Sequence, residues 1–387
     1  MNEAEHDPVQ NAQRWAFIIG VIALIACAIG WVAEPAQFFL SYLAAFLIWL
    51  GVALGSLSWA MIHYLTGGRW GYAVRRFFEA AMSTLPLLLL LFVPVFFGLS
   101  YLYPWTHAAE RVSDEVLRHR QAYMNMPGFV LRAIVVFAVW IALAHLLTKW
   151  SGEQDATRNP EPTKKLRKLS GPGLVVYPIS VTFAFVDWVM SMEADWFSTM
   201  FPILICVGQM LSALAFSILL LAWLERRTGL AQITGQQTFH NFGNLLLTLT
   251  MMWAYLAFSQ LLIIWSGDLP HEISWYLHRI AGGWKAIAAF LFLFHFFVPF
   301  VVLLSRRNKR RLGVLTSVAA MIFIAHAVDV WWLVTPSIFK TGIHVSWLDF
   351  AAFLGVGGIW FSVFLNRLQT KAIVPLNDPR FAVAATV

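Results

Sequence analysis

FFLSYLAAFLIWLGVALGSLSWAMIHYL, residues 38–65, runs for 28 positions without an Asp, Glu, Lys or Arg. As a helix rising about 1.5 Å per residue it would be about 42 Å long, enough to cross a hydrocarbon layer of roughly 30 Å. The rest of the chain repeats the pattern. Of 387 residues, 59% are hydrophobic, 16% aromatic and only 12% charged, which excludes a water-soluble enzyme of one or two domains. The formal net charge of +7 does not point to nucleic acid, because the basic residues sit in short connections and form no basic and aromatic surface. Cys27 and Cys206 lie in separate apolar runs with no CxxC, which argues against a disulfide framework or a zinc or iron–sulfur site. The acidic, polar start, Met1 to Arg14, lacks a cleavable signal pattern, so the first apolar helix is expected to persist.

The expected fold is an all-α polytopic membrane protein with ten transmembrane helices, at 15–33, 38–65, 83–104, 129–149, 173–192, 197–224, 241–266, 283–304, 312–334 and 347–368. A tail at 1–14 precedes this domain of 15–368, and a tail at 369–387 follows it. The two longest connections are 105–128, with a short surface helix around Asp114 to Met124, and 150–172. With an even number of spans both termini share a side. That side and its loops hold 20 of the 27 Lys and Arg residues, including Arg69, Arg75, Arg76, Arg367 and Lys371, while Arg132, Arg279 and Lys285 fall on the other. The bias predicts both termini in the cytoplasm. The fifth span is weakly apolar, carrying Tyr177, Ser180, Thr182, Asp187 and Ser191, but dropping it would break the charge alternation of every later loop.

Some spans look alike in pairs. LRAIVVFAVWIALAHLLTKWS (131–151) and WKAIAAFLFLFHFFVPFVVLLSR (284–306) each have a basic outer end, an interior His and a basic inner end. VDWVM around Asp187 matches VDVWWL around Asp329, and HYLTGGR (63–69) loosely matches ERRTG (225–229). The implied plan is two parallel four-helix bundles, spans 2–5 (about 38–193) and 6–9 (about 197–334), flanked by spans 1 and 10.

An ionisable residue inside a span is costly and therefore a functional candidate. Tyr177, Ser180, Ala184, Asp187 and Ser191 recur on one small, polar face. His326 and Asp329, at i and i+3, share a face and are expected to hydrogen-bond and exchange a proton. Asn241, Asn244, Thr248, Tyr255 and Ser259 form a further stripe, read either as part of a proton chain or as interhelical glue. Toward the inner side lie His63, Glu79, His145 and His240, read either as a proton entrance or as snorkelling interfacial groups. Glu193 and Asp195 follow span 5 directly, as proton collectors, a docking point or solvated loop acids. Haem ligation is disfavoured: no span carries two deep His on one face, and His295 has no obvious partner at its depth. Gly51 and Gly55 make a GxxxG, and Pro86, Pro94 and Pro299 are expected to kink their spans.

The stretch from Phe38 to Gly71 and the stretch RRFFEAAMSTLPLLLLLFVPVFFGLSYLYPW (75–105) resemble the F subunits (ActF) of bacterial alternative complex III, which are similar to NrfD/PsrC-like membrane anchors; the likeness spans nearly the whole chain. That resemblance implies ten helices in two four-helix bundles within a quinol:cytochrome c oxidoreductase of the bacterial cytoplasmic membrane. Expected partners are an NrfD-like paralogue, an iron–sulfur protein, c-type cytochromes and, in some complexes, a terminal cytochrome c oxidase. Haem c and the clusters belong to those partners, and this chain holds no redox centre of its own; a quinone or a lipid is left open as a ligand. By the same resemblance, Asp187, His326, Asp329 and Glu79 are where proton movement is carried over. Two alternatives stand beside it. One is a quinol-binding subunit using Trp188, Trp331 and Trp332 as ring contacts; the other is a secondary transporter built from parallel repeats.

Overall fold

A computed structural model of the chain describes residues 8–107, 115–157, 159–193, 196–225, 230–374 and 378. We number the main helices α1 Pro8–Ala33, α2 Pro35–Thr66, α3 Arg69–Met82, α4 Leu85–Phe97, α5 Met126–Thr157, α6 Glu161–Trp188, α7 Phe201–Leu224, α8 Gln236–Gly267, α9 Pro270–Ile280, α10 Trp284–Leu304, α11 Leu312–Val334 and α12 Trp347–Gln369. Among the described residues there is no β-strand. This is what a bilayer demands, since a helix satisfies its own backbone polar groups. The chain is a multi-pass membrane protein: nine of these helices are each long and apolar enough to span, and α3 with α4 pass that test only as a pair bent by 42°.

The helices are longer than their apolar cores suggest. α1 begins at Pro8, inside the expected N-terminal tail, and the expected 150–172 connection is mostly helix, the end of α5 and the start of α6. The surface helix in the 105–128 connection is Glu115–Arg120, its expected start at Asp114 lying outside the described residues. α3, whose Arg75 and Arg76 were expected in a loop, is a buried amphipathic helix. α9 was not anticipated.

Two breaks have local causes. α2 turns into α3 through Gly67 (φ 70°) and Gly68 (φ 105°), left-handed backbone that favours glycine. Between α3 and α4, Pro86 has no N–H to offer the preceding turn, and Ser83 donates its hydroxyl to the Glu79 carbonyl. In α10, Pro299 cannot donate to the turn before it, and Phe292–Phe297 directly upstream is a π-turn containing His295.

α2 sits at the centre, buried over its entire most apolar window. It packs on α4, α6, α7 and α12, while α5 pairs with α6, α7 with α8 and α11, α8 with α10, and α1 with α12. The Gly51/Gly55 motif sets the α2–α7 approach: a Cβ at Gly55 would fall on the carbonyl oxygen of Gln209.

Candidate functional site

Asp329, on α11, is 4% exposed, and its Oδ2 accepts a hydrogen bond from Trp253 Nε1 of α8 at 3.2 Å. His326 lies on the same face, but its Nδ1 stands 3.9 Å from that oxygen, so the expected direct hydrogen bond is not formed. The i, i+3 spacing brings the two side chains together, and the aspartate turns toward the indole instead. His295 packs between the rings of Trp253 and His326. Its ring centroid is 4.2 Å from that of Trp253, edge-on, and 5.8 Å from that of His326, nearly parallel. The π-turn in α10 sets the register of that ring. Both His295 nitrogens and His326 Nδ1 are buried without a hydrogen-bond partner.

Beside this cluster lies a small cavity of about 10 Å³ lined by Gln209, His326, Leu47, Phe185 and Val330, among others. That is about the room one water needs, given polar groups to hold it. Gln209 accepts from Tyr177 Oη at 2.7 Å, and its Nε2 is buried without a partner. Polar groups of α6, α7 and α11 thus meet at the centre of the molecule.

Asp187 is built differently. The face inferred from spacing is buried, with Tyr177, Ser180, Ala184 and Asp187 of α6 and Ser191 of the short turn that follows all turned inward. Asp187 Oδ2 accepts from Arg132 Nε of α5 at 2.6 Å, and the Arg132 guanidinium lies 3.9 Å from the Tyr123 ring centre. Trp188, offered above as a quinol ring contact, is enclosed by Phe92, Phe137 and Trp140.

Glu79 is the hub of a charge network rather than an interfacial group. Its Oε1 accepts from Ser151 (2.7 Å), Arg75 (2.8 Å) and Tyr64 (2.9 Å), and its Oε2 from Arg76 at 2.6 Å. Arg75 also holds Asp378, Arg76 holds Asp155, and Lys371 Nζ approaches Glu79 Oε2 at 3.4 Å. Three cations meet three carboxylates, a neutral sum that lets such a group stay buried. The loop assignment of Arg75 and Arg76 concealed this. Their spacing to Glu79, i+4 and i+3, was the available signal.

Glu193 is not a solvated loop acid. It accepts from Arg279 (2.7 Å), Ser337 (2.9 Å) and His278 (3.0 Å). Arg279, on α9, is fully buried over the Trp275 ring at 3.7 Å. Burial alone would raise the Glu193 carboxyl, but the Arg279 charge and these hydrogen bonds outweigh it and hold the group below the ordinary carboxylate value. Burial pulls Arg279 below its ordinary value, with Glu193 opposing.

Several candidates fall outside any cluster. Tyr255 is 64% exposed, and Asn244 and Thr248 of the same stripe are also exposed. The inward face of α8 is instead that of Thr250, Trp253 and Gln260. His145 is exposed and joins no inner entrance. His63 does not snorkel but is buried edge-on against Trp70 and Tyr72, whereas His240 is half-buried. Asp195 lies outside the described residues. Among the described residues, no group of three or more His, Cys, Asp or Glu could hold a metal ion. No protein-family model matches the chain, and no curated protein matches it.

Proposed function

We propose that this chain is an ActF-like integral subunit of a quinol:cytochrome c oxidoreductase of the alternative complex III type, and that it moves protons through Asp329, His326 and His295. In this reading the bent pair α3–α4 is one span, giving ten. Helices α2 to α6 and α7 to α11 form the two four-helix bundles, with α1 and α12 packed outside. Both termini face the cytoplasm of a bacterial cell. The subunit scaffolds an NrfD-like paralogue, an iron–sulfur protein and c-type cytochromes, which carry the redox centres. The family part of the proposal rests on the sequence resemblance.

The proton part rests on one observation: Asp329 is buried with no Lys or Arg in ion-pair contact among the described residues, next to two histidines with unpartnered ring nitrogens. A buried carboxyl that lacks a fixed counter-charge can alternate between protonated and ionised forms, and an imidazole beside it can accept or return the proton. A permanently paired acid such as Asp187 cannot do so without breaking its ion pair. Glu79 and Glu193 are likewise tied to arginines and act as structural ties. A water in the Gln209–His326 cavity would extend the relay toward Tyr177.

The test begins with mild-detergent purification through a tag on this chain. Co-purification of c-type haem and several subunits with quinol:cytochrome c activity supports the assembly; a colourless chain emerging alone overturns it. In reconstituted complex, Asp329→Asn should leave assembly and quinol oxidation intact while lowering coupled proton release. Unchanged proton stoichiometry removes Asp329 from the path.

A further inference from the structure

Where α3, α5 and the last turn of α12 converge there is a cleft of about 240 Å³, lined by Arg76, Glu79, Ser83, Thr148, Arg367 and Lys371. Its charges do not cancel. Glu79 is already held by Arg75 and Arg76 at 2.8 and 2.6 Å, and Arg76 is shared with Asp155. Lys371 reaches the Glu79 carboxylate only at 3.4 Å and donates to the Thr148 carbonyl at 3.1 Å, which holds its ammonium at the cleft. Arg367, four residues earlier, is exposed, and its side chain makes no hydrogen bond or ion pair among the described residues. Hydroxyls of Ser83 and Thr148, 3.3 Å apart, stand in the same wall. A solvated helix end would account for Arg367 alone. It does not account for a concave site in which that uncompensated guanidinium, an ammonium shared between Glu79 and the Thr148 carbonyl, and two hydroxyls converge. From Ser83, α4 continues with exposed Pro86 and Leu90, apolar surface suited to an acyl chain.

We propose that this cleft binds a phosphate group, with the Arg367 guanidinium and the Lys371 ammonium as its cationic donors. A guanidinium fork fits phosphate oxygens in pairs, and basic pockets between membrane helices take anionic headgroups. The phosphate comes either from an anionic phospholipid or from solution. The site does not depend on the proton-transfer reading, since it uses neither Asp329 nor the histidines.

The test is native mass spectrometry of the full chain in detergent, titrated separately with phosphatidylglycerol and with inorganic phosphate. The intact chain should retain one equivalent. Arg367→Gln, which removes no hydrogen bond or ion pair among the described residues, should weaken binding about tenfold, the size of one charge-assisted contact, and Arg367→Lys should restore part of it. Arg14→Gln, in the separate groove formed with Gln13, Ser362 and Asn366, should change nothing. Retention of phosphatidylglycerol but not of inorganic phosphate identifies a lipid site, and inorganic phosphate bound on its own identifies a solute site. Failure of both to bind, or equal binding by Arg367→Gln, overturns the proposal.

Discussion

Asp187 and Asp329 stand in similar sequences on α6 and α11, yet they are built into opposite situations. Asp187 has Arg132 at 2.6 Å, whereas Lys285, the basic residue at the matching end of α10, is exposed and pairs with no acid among the described residues. The interior histidines diverge too: His145, thirteen residues after Arg132, faces outward, while His295, ten residues after Lys285, packs into the core. A three-residue difference in spacing moves a side chain only about 60° around a helix, and the π-turn that holds His295 adds a further change of register. Asp187 is tied to an arginine, whereas Asp329 is buried with no Lys or Arg in ion-pair contact among the described residues. The largest expected effect tests that difference directly. Arg132→Ala should destabilise the protein by about 2–4 kcal/mol, because it strands a buried carboxylate whose partner was only partly exposed. Asp329→Asn should cost under about 1 kcal/mol, since asparagine can still accept from Trp253. Equal shifts in detergent thermal unfolding would erase the distinction.

A smaller effect concerns the cluster's own geometry. Trp253→Phe removes the indole donor to Asp329 while keeping a ring beside His295, so it should lower stability by about 1 kcal/mol. In the reconstituted complex it should also alter the rate of proton release without abolishing it. A variant indistinguishable from the parent in both measurements would mean that the indole does not position the acid.

How much of this could be read from sequence depends on which force sets each feature. Apolar runs long enough to cross a bilayer are visible directly, and so was the inward face of α6, whose small and polar residues repeat at helical spacing. α3 escapes a sequence reading because RWGYAVRRFFEAAM looks like a basic loop next to a membrane; Glu79 within the helix, Asp155 of α5 and the distant Asp378 supply the carboxylates that let its arginines be buried. Tyr255 was misread for the opposite reason. Its stripe on α8 is polar, but Thr248 satisfies its own hydroxyl on the Asn244 carbonyl at 2.9 Å and so needs no neighbouring helix. The His295 environment depends on a π-turn, a change of register that periodicity at 3.6 residues per turn cannot contain. Arg279, on α9, and Glu193, which follows α6, pair across 86 residues of sequence, a contact that no local pattern encodes.

The pH dependence separates tied acids from the free one. Because Glu193 is held below the ordinary carboxylate value, its stabilising contribution is complete above the unfolded-state pKa of about 4.3 and is lost as pH falls through the lower folded value. Thermal stability should therefore decline on acidification, and Glu193→Gln should flatten that decline while Asp329→Asn leaves it in place. A decline of the same size in Glu193→Gln would assign the acid sensitivity elsewhere.

The smallest effects should come from residues on the outer surface. Tyr255→Phe and His145→Gln alter exposed side chains outside both acid clusters, so each should change stability by less than about 0.5 kcal/mol and leave proton release unaltered. If Tyr255→Phe slowed proton release as much as Asp329→Asn, the route would have to run along the outer face of α8, where a partner subunit or lipid would line it. The contrast between Asp187 and Asp329 would then describe stability alone, and the buried histidines would be packing rather than relay.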